Sequence, residues 1–579
     1  MKKTLCKILI SIIFILSITS CQDEFLQKPL GSDLNVDSVF NKKDKAISAI
    51  SQAYSYCLAT GIPVCGWVGQ NSGQNHGTLD DLCGDMLNMS NWENAYWIIR
   101  QGMAASWGNE DNYDFHWIAI RQAYLVIENI DKVKDYSETE KSQIKLEMKA
   151  LIAFQYLEMF KRYGGVPIVK GTLKPSDNVR IPRANLQETL DYILQLCEEA
   201  KDLPNSYPEN MKGRITSGVV LAIKARALIF AARPLFNSDT PYLNLGSDNN
   251  LISFGANDPT RWQAAADANK AVVDWALANG YSIINTGSPL DDYGNATSTP
   301  NNSEVLLAYN FQISASDPNN KYGFWTHYNL HYWDVNTNFV SYEMLTKYYK
   351  ADGTNQTWPD ATAQPFSEYV SKMQAMEPRL KASIYAFTID AWNNPNDPFW
   401  SATTIYTTNT KISSACALPT KFWYKAGTRS WMNYPLFRLA EFYLNMAEAY
   451  NEVGNSDLAL QNLSVIRNRA GLPNISETNK DALRIIIQRE WAIEFFREGH
   501  RFFDVKHWKL KDLDNGVIGG SHKYFTFTFS NLNSHVVASD FKDYRTVVAF
   551  TGYWNANQYL HPFPLTEVNK DYLVQNPGY

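Results

Sequence analysis

Apolar residues recur every three or four positions over most of this chain, which is the spacing of one face of an α-helix. Near the C-terminus Leu439, Tyr443, Met446 and Tyr450 follow this spacing, and Gly454 supplies a stop where the helix ends. The same pattern predicts further helices over residues 140–162, 186–200, 216–232, 261–278, 456–471 and 480–496. We therefore predict a mostly α-helical fold.

Consecutive helices in this pattern form pairs. Two helices joined by a short turn, about 34 residues in all, have the size of one tetratricopeptide-like unit. Such a pair cannot bury its apolar face alone, so successive pairs must stack against one another. Strand signals are few, and the clearest is YFTFTF at 524–529, where aromatic residues alternate with threonine. The pattern thus predicts a helix-pair scaffold with few short strands and long irregular loops.

Three segments break the helical pattern, namely residues 61–112, 282–335 and 392–434. All three are aromatic, and the second is also rich in Asn, Ser, Gly and Pro. Long irregular segments inside a compact domain are usually functional or disordered, and these are too aromatic for disorder. We therefore expect functional side chains on the first two.

The aromatic content of the whole chain is high. Phe, Trp and Tyr make up 13% of the 579 residues, more than a core alone needs, because each buried Trp or Tyr has a polar atom that must find a partner. Some are predicted core residues, such as Trp117, which shares a helical face with Ile120 and Tyr124. The formal net charge of −6 gives no electrostatic footprint for nucleic acid. The open question is whether the other aromatics form a binding surface.

The N-terminus has the pattern of a targeting segment. A basic start precedes an apolar run over residues 8–18, which is too short to span a bilayer. The run closes with Ile-Thr-Ser-Cys at 18–21, which resembles the lipobox of bacterial lipoproteins and implies a lipid on Cys21. A plain secretory signal with a chance cysteine is the alternative. We predict a lipoprotein signal peptide over 1–20 and a mature chain over 21–579.

The other cysteines of the mature chain follow no CxxC or zinc-binding spacing. They are Cys57, Cys65, Cys83, Cys197 and Cys416. One disulfide among the first three and free buried thiols are both open. No metal site is predicted from them.

An ordered set of sequence motifs runs along both halves of the chain. In the first half the motifs are YGGVPIV (163–169), IPRANLQETLDYI (181–193) and GRITSGVVLAIKARALIFAARPLFN (213–237). In the second half they are RLAEFYLNMAEAYNEVG (438–454), IRNRAGLP (466–473), REWAIEFFREGHRFFDVKHW (489–508) and LHPFPLTEVNKDYLVQNPGY (560–579). Together with the lipobox, this ordered set resembles the SusD/RagB-type outer-membrane lipoproteins of Bacteroidetes over nearly the whole chain.

This resemblance implies a single SusD-like domain over 21–579, with four tetratricopeptide-like helix pairs and both parts, about 21–300 and 301–579, in one scaffold. Proteins of this family sit on the cell surface, cap a SusC-like TonB-dependent transporter and pass captured glycan inward without cutting it. The implied partners are the transporter, an oligo- or polysaccharide and, through the lipid on Cys21, the outer membrane. Asp23 and Glu24 resemble a surface-export signal, so the chain is expected to face the cell exterior. No cofactor, metal or catalytic residue is expected.

Charged residues in the C-terminal motifs are interpreted as buried ion pairs of the scaffold rather than as a catalytic set. They are Arg438, Glu441, Glu448, Glu498, Arg501 and Asp504. Removing one partner of a buried pair costs several kcal/mol, on the order of 3–5. Substitutions at these positions would therefore disturb folding and could be mistaken for damage to a site.

The binding surface is predicted on two of the irregular segments. Sugar rings present an apolar C–H face and a rim of hydroxyls, so a site needs exposed aromatic planes with hydrogen-bonding neighbours. The candidates are Trp67, Asp85, Asn88, Trp92, Tyr96 and Trp97 in the first segment, and Trp325, Tyr332 and Trp333 in the second. Trp92, Trp97 and Trp325 are the predicted platforms. Asp85 and Asn88 are their predicted hydrogen-bonding partners, and the alternative for each Trp is packing in the core or a loop.

Three other functions are alternatives to glycan binding. An enzyme is not expected, because no GxSxG, HExxH, P-loop or GxGxxG motif occurs in context, and sequence spacing cannot establish a catalytic carboxylate pair. His327 and His331 are four residues apart, but their Asn- and aromatic-rich surroundings favour loop packing over metal binding. A peptide-binding RagB-like uptake lipoprotein is the main alternative. A helical-repeat adaptor that binds protein alone would not need two aromatic loops.

Overall fold

The computed structural model describes most of the chain. It covers residues 36–63, 65, 77–89, 91, 94–106, 113–174, 176–311, 338–386, 417–422, 432–530 and 541–579. The predicted signal peptide and Cys21 lie outside the described residues. Within the described ranges, none of the helices combines the length and the apolar character needed to cross a membrane.

Helices dominate these ranges. They are α1 (Val36–Val39), α2 (Lys43–Ala59), α3 (Asn94–Gln101), α4 (Tyr113–Asn129), α5 (Glu138–Tyr163), α6 (Leu186–Glu199), α7 (Ser217–Ala232), α8 (Thr260–Ala278), α9 (Pro289–Ser298), α10 (Tyr342–Leu345), α11 (Phe366–Gln374), α12 (Pro378–Ser383), α13 (Leu439–Glu452), α14 (Ser456–Arg469), α15 (Lys480–Glu494), α16 (Arg501–His507) and α17 (Leu565–Val568). Every long helix predicted from the apolar spacing is present, with ends that differ by two residues or fewer. The mostly α-helical fold class is therefore confirmed.

Side-chain caps fix where the long helices begin. The Ser137 hydroxyl accepts a hydrogen bond from the backbone N–H of Glu140, whose carboxylate accepts one from the Ser137 backbone N–H. Asn185 and Glu188 form the same reciprocal pair at the start of α6. Each pair satisfies N–H groups that a helix start leaves without partners. At the end of α5, Gly164 has a φ of +80°, which glycine adopts without strain.

The long helices stack as four pairs: α2 with α4, α5 with α6, α7 with α8, and α13 with α14. Neighbouring pairs contact each other through α4 and α5, through α6 and α7, and through α8 and α13. Since α13 follows α8 in space but not in sequence, the chain leaves the stack after α8 and returns to it at α13. The predicted scaffold of stacked helix pairs is confirmed.

The strands of the described ranges are short and all pair in antiparallel fashion. They are β1 (Met86–Asn88), β2 (Val305–Phe311), β3 (Asn338–Val340), β4 (Gln364–Pro365), β5 (Ile384–Tyr385), β6 (Leu418–Pro419), β7 (Met432–Arg438), β8 (Gly520–Phe529) and β9 (Phe541–Gly552). Strand β1 pairs with β3, β2 with β7, β5 with β6, and β9 lies between β4 and β8. The strand predicted at 524–529 is confirmed and belongs to the longer β8.

The segments predicted to be irregular contain more regular structure than the pattern indicated. Helix α9 and strand β2 lie within 282–335, and α3 and β1 lie within 61–112. The sequence of α9 includes Gly and Asn, which disfavour a helix. Its start is secured by Pro289 and by Asp292, whose carboxylate accepts hydrogen bonds from Thr286 and Ser288. Strand β2 is stabilised by β7, a distant partner that local sequence patterns do not reveal.

Two hydrophobic cores account for many of the aromatic residues. The larger core lies between the stacked helices, and the smaller core lies between α11 and the β8–β9 hairpin. In the smaller core the ring of Tyr369 lies 5.0 Å from Phe527, 5.2 Å from Tyr544 and 5.8 Å from Phe525. Much of the aromatic excess is therefore packing, which leaves a smaller set of aromatics for a surface.

Buried ion pairs join the C-terminal helices. The Glu494 carboxylate accepts a hydrogen bond from Arg438 at 2.7 Å and another from Arg469, and it lies 3.3 Å from Arg379. Arg438 also donates to Glu498 at 2.7 Å. All five side chains are buried. These contacts connect α12, α14 and α15 with the start of α13.

The other charged residues of the C-terminal motifs are paired in the same way. Arg233, at the end of α7, contacts Glu448 at 2.8 Å and Asp504 at 2.6 Å. Arg226 of α7 contacts Glu441 at 2.5 Å. The predicted interpretation of these residues as structural ion pairs is confirmed, and the pairs connect the first half of the scaffold to the second.

Candidate functional site

The short pairing of β1 with β3 brings the two predicted aromatic segments to one place. Asn88 lies opposite Asn338, and Met86 lies opposite Val340, in an antiparallel register. The first segment continues from β1, and the second ends at β3. Both segments therefore join the described structure side by side, although they are far apart in sequence.

The turn before β1 is buried and attached to the C-terminal scaffold. The Asp85 carboxylate contacts the Arg501 guanidinium at 2.9 Å. The Asp80 carboxylate accepts a hydrogen bond from the backbone N–H of Arg497 at 3.1 Å, and the Arg497 guanidinium donates to the Thr78 hydroxyl at 3.0 Å. Arg497 has a φ of +65°, which is uncommon for a residue other than glycine, and these bonds hold it there. The turn is thus fixed to the scaffold at two points.

This burial includes Asp85 and Asn88, which the sequence suggested as hydrogen-bonding partners of sugar. The Asn88 side-chain amide lies 3.5 Å from the Asp81 carboxylate, and the Asn88 carbonyl accepts a hydrogen bond from Arg100 at 3.1 Å. Neither Asp85 nor Asn88 exposes its side chain to solvent. Asp85 is buried because its carboxylate pairs with the guanidinium of Arg501, a residue more than 400 positions later in the sequence. In this structure both residues therefore make contacts within the fold and present no side chain to solvent.

Burial shifts the pKa values of the charged groups in this turn. It raises the pKa of Asp80 to about 7, since desolvation outweighs the attraction to Arg497. It also raises the pKa of Asp85, although Arg501 opposes the shift. Burial lowers the pKa of Lys347, close to Asp85 and Arg501, to about 8. The turn is therefore a region of low dielectric constant in which opposite charges balance.

Helix α3 presents two of the predicted aromatic residues, Tyr96 and Trp97. Trp97 is 36% exposed, and its indole N–H donates a hydrogen bond to the backbone carbonyl of Asn91 at 2.8 Å. The Tyr96 ring meets the Trp97 ring edge to face, with centroids 5.0 Å apart. Because the indole N–H is already bonded, the ring is held in one orientation while part of its surface stays exposed.

Arg100 clamps α3 to the rest of the structure. Its guanidinium carbon lies 3.7 Å from the centroid of the Tyr96 ring and 3.7 Å from that of Phe550 on β9. The guanidinium also donates hydrogen bonds to the backbone carbonyls of Tyr96 at 3.0 Å and Asn88 at 3.1 Å. A planar guanidinium suits a place between two rings, and burial lowers its pKa. One side chain therefore joins α3 to both β1 and β9.

Tyr553 adds a second exposed aromatic side chain beside α3. It is 41% exposed, and its ring lies so close to Gly102 that a Cβ there would come within 2.9 Å of it. Tyr553, Phe550 and Arg100 are not among the residues predicted from the sequence. The spacing of four residues between Tyr96 and Arg100 on a helix was a signal for Arg100. Phe550 lies on β9 and Tyr553 comes directly after it, and no local sequence pattern indicated that either residue lies beside α3.

Most of the predicted aromatic site residues lie outside the described residues. They are Trp67, Trp92, Trp325, Tyr332 and Trp333, together with the histidines at 327 and 331. Their roles stay predictions. Of the predicted aromatic site residues, Tyr96 and Trp97 are the two that the structure places, and it places them next to each other.

Three carboxylates on the first two irregular segments, those of Asp80, Asp81 and Asp292, have structural contacts. Asp81 is buried and accepts hydrogen bonds from the backbone N–H and the hydroxyl of Thr78 at 2.6 and 3.1 Å. Asp80 and Asp292 are buried in the contacts given above. Across the ranges that the structure describes, no group of three or more His, Cys, Asp or Glu side chains is arranged to hold a metal ion. The contacts described for Asp80, Asp81 and Asp292 are all within the fold.

The cysteines of the described ranges are free thiols in the interior, namely Cys57, Cys65, Cys83 and Cys197. Of the two alternatives left open by the sequence, the structure thus shows free thiols at Cys57, Cys65 and Cys83. Burial raises the pKa of Cys57 and raises that of Cys197 to about 12. Such thiols are inert at neutral pH, since the reactive form is the thiolate.

Comparisons with known sequences agree with this structure. A family model described as the SusD family matches residues 282–579, just over half of the chain. A second model, described as starch-binding associating with outer membrane, matches residues 52–229. A SusD-like protein of Formosa agariphila is 37% identical over 90 residues. That alignment spans 15% of this chain and 17% of the length of the relative.

Solved structures show the same fold. A SusD-like protein from Bacteroides fragilis NCTC 9343 superposes with a TM-score of 0.70 at 22% identity, and the match covers 96% of this chain and 100% of that one. A protein from the same organism that is named as a SusD-like carbohydrate-binding protein gives a TM-score of 0.63 at 16% identity, covering 93% and 99%. At these identities the likeness concerns the fold. With the family model matched over residues 282–579, the chain belongs to the SusD family.

Proposed function

We propose that this chain is a cell-surface, glycan-binding lipoprotein that captures an oligo- or polysaccharide and delivers it to a SusC-like TonB-dependent transporter without cleaving it. The observation that carries the proposal is the exposed and oriented indole of Trp97, on a helix clamped beside the β1–β3 pairing. The description of the family model over residues 52–229, starch-binding associating with outer membrane, supports both the ligand class and the location.

The chemistry of Trp97 fits a sugar ring. An indole presents a flat apolar surface, which matches the C–H face of a pyranose. The bond to Asn91 and the contact with Tyr96 orient the indole before a ligand arrives, so binding costs little conformational entropy. A pre-oriented aromatic surface is therefore well suited to an extended, hydroxyl-rich chain.

We propose that the aromatics of both segments form one platform with Trp97 and Tyr96. Trp92 follows Asn88 by four residues, and Trp333 precedes Asn338 by five. Because Asn88 and Asn338 lie opposite each other, short stretches of chain connect Trp92 and Trp333 to the same pair of strands, β1 and β3. The other proposed members of the platform are Trp67, Trp325 and Tyr332.

Asp85 and Asn88 are proposed to position this platform. Asp85 attaches the turn before β1 to Arg501, and the Asn88 carbonyl accepts the hydrogen bond from Arg100 that holds α3. Loss of either contact would release the helix that carries Trp97. Their effect on binding is therefore indirect.

The proposed location is the outer membrane, with the protein facing the cell exterior and anchored by lipid on Cys21. The basic start, the apolar run at 8–18 and the lipobox-like sequence at 18–21 support it. Each buried methylene of an acyl chain contributes about 0.8 kcal/mol to such anchoring. An anchored protein of this kind would stay close to its transporter.

Affinity gel electrophoresis against a panel of soluble polysaccharides tests the proposal. At least one polysaccharide should retard the wild type, and Trp92→Ala, Trp97→Ala or Trp325→Ala should reduce the retardation. Leu277→Ala is a matched control, because Leu277 is an exposed apolar residue on the distant helix α8. A reducing-end assay on the retained polysaccharide should stay at background. If no polysaccharide retards the protein and a peptide mixture binds it, the RagB-like peptide-uptake function replaces this proposal.

A further inference from the structure

A groove that shares no lining residue with the Trp97 surface runs along the N-terminal half of α4. Its volume is about 340 Å³, which lies within the range of small-molecule sites in proteins. Helix α4 forms one wall, residues 167–173 and 179–181 form another, and the C-terminal residues near Tyr572 close the third side. The groove is a concave site with no role in the proposed platform.

Three aromatic residues line the groove, namely Tyr113, Trp117 and Tyr572, and neighbours hold the rings of Trp117 and Tyr572 in place. The Trp117 ring packs edge-on against Tyr113 at 5.8 Å and against Tyr156 at 6.3 Å. The Tyr572 hydroxyl donates a hydrogen bond to the Glu567 carboxylate at 2.6 Å. The apolar spacing of α4 predicted that Trp117 lies in the core, but the residue is only half-buried and lines the groove. Both rings therefore have fixed positions next to an open space.

The opposite wall is aliphatic and open to solvent. Leu173 and Val179 line the groove and are both exposed, with 57% of Val179 accessible. Asp114 and Arg121 of α4 are also exposed and bring charge to the lining. An apolar wall that stays exposed in a folded protein often marks a place that a ligand covers.

We propose that this groove binds one or two sugar units that carry a methyl group, as in a 6-deoxyhexose or an N-acetylhexosamine. The rings of Trp117 and Tyr572 contact the C–H face of the sugar. The aliphatic wall of Leu173 and Val179 contacts the methyl group, and Asp114 bonds to hydroxyls. The sugar class rests on the proposed function, whereas the methyl group follows from the aliphatic wall alone.

The size and charge of the groove favour this ligand over a long glycan chain and over a purely aliphatic ligand. The volume is at the low end of the range for ligand sites, so it suits one or two rings rather than a long chain. A purely aliphatic ligand would cover the exposed guanidinium of Arg121 without giving it a polar partner, which is costly. A small ligand with both hydroxyls and a methyl group satisfies both walls.

Ligand-detected NMR titrations with paired sugars test the proposal. L-fucose is compared with L-galactose, which carries a hydroxymethyl group in place of the methyl group. N-acetyl-D-glucosamine is compared with D-glucose, which carries a hydroxyl group in place of the acetamido group. The methyl-bearing sugar of at least one pair should bind about fourfold tighter or more, the value of one buried methyl group. Saturable binding of none of the four, or equal affinity within both pairs, would overturn the proposal.

Two variants assign the binding to the groove. Val179→Trp covers the opening and should weaken binding of the methyl-bearing sugar about tenfold or more, whereas Ile485→Trp, at a residue 67% exposed on α15, should bind like the wild type. Unchanged binding by Val179→Trp would overturn the assignment. Trp97→Ala should leave this binding intact while it reduces polysaccharide retention. If the wild type binds the methyl-bearing sugar but is retained by no polysaccharide, the proposed function is rejected and the groove remains a sugar-binding site.

Discussion

Replacing Glu494 by glutamine removes the charge at the centre of the buried ion-pair network. The carboxylate contacts Arg438 at 2.7 Å, Arg379 at 3.3 Å and Arg469, and all four side chains are inaccessible to solvent. Burial alone would raise the pKa of Glu494, but attraction to these three guanidinium groups holds it well below its usual range. The folded protein therefore depends on the ionised form.

The size of the effect follows from what remains after the substitution. Arg469 still contacts Glu304 at 2.9 Å, and Arg438 still contacts Glu498 at 2.7 Å. Removing one partner of a buried ion pair costs about 3–5 kcal/mol. Because the remaining partners stay and glutamine keeps one acceptor oxygen, we expect a loss near the low end, about 3 kcal/mol.

Urea unfolding followed by circular dichroism at pH 7 measures this loss. Glu198→Gln is the matched control, because the Glu198 carboxylate is 64% exposed in its pair with Lys201, and it should unfold like the wild type. The pH dependence has a defined sign. A depressed folded pKa gives stability that is present above the unfolded pKa near 4.5 and is lost as the pH falls below it. The difference in unfolding free energy between the wild type and Glu494→Gln should therefore become smaller below pH 4.5. Identical unfolding of the wild type and Glu494→Gln at pH 7 would refute the reasoning.

Three further outcomes are expected. Arg100→Lys loses the planar group between two rings, so it should lower polysaccharide retention in affinity gels with little change in melting temperature, and unchanged retention would contradict the clamp. The raised folded pKa of Asp80, about 7, means that its stabilising contribution is lost as the pH rises from about 4 through 7. The melting temperature of Asp80→Asn relative to wild type should therefore rise between pH 5 and pH 8 in calorimetric scans, and a constant difference would count against it. Peptide-mapped maleimide labelling should modify Cys57 and Cys197 only after denaturation, and labelling in the native protein would show that these thiols are not buried.

Local sequence patterns predicted what local interactions determine. The long helices were found because apolar periodicity, glycine stops and caps such as Ser137 lie within one element. Tyr96 and Trp97 were identified as site candidates because they stand in an aromatic segment, and the structure places them together on α3. The ion-pair role of the charged residues in the C-terminal motifs was predicted from the family resemblance. That resemblance rested on the order of the motifs along the chain.

Features that depend on distant contacts were not predictable in the same way. Asp85 was assigned to the surface, because nothing near it in sequence shows that Arg501 lies 2.9 Å away. Phe550 completes the stack around Arg100 from the opposite end of the chain. Trp117 was assigned to the core from its helical face, but the groove beside it is formed by segments that meet only in the fold. Tertiary pairing, rather than propensity, decides these positions.

The most direct test is isothermal titration calorimetry with the polysaccharide retained in gels, comparing the wild type with the triple variant Trp92→Ala/Trp97→Ala/Trp325→Ala. Glycan capture on the aromatic platform predicts saturable binding by the wild type and a loss of affinity of about tenfold or more in the triple variant, which unfolds at the same urea concentration. Equal affinity of the two proteins would contradict the platform as the site of capture.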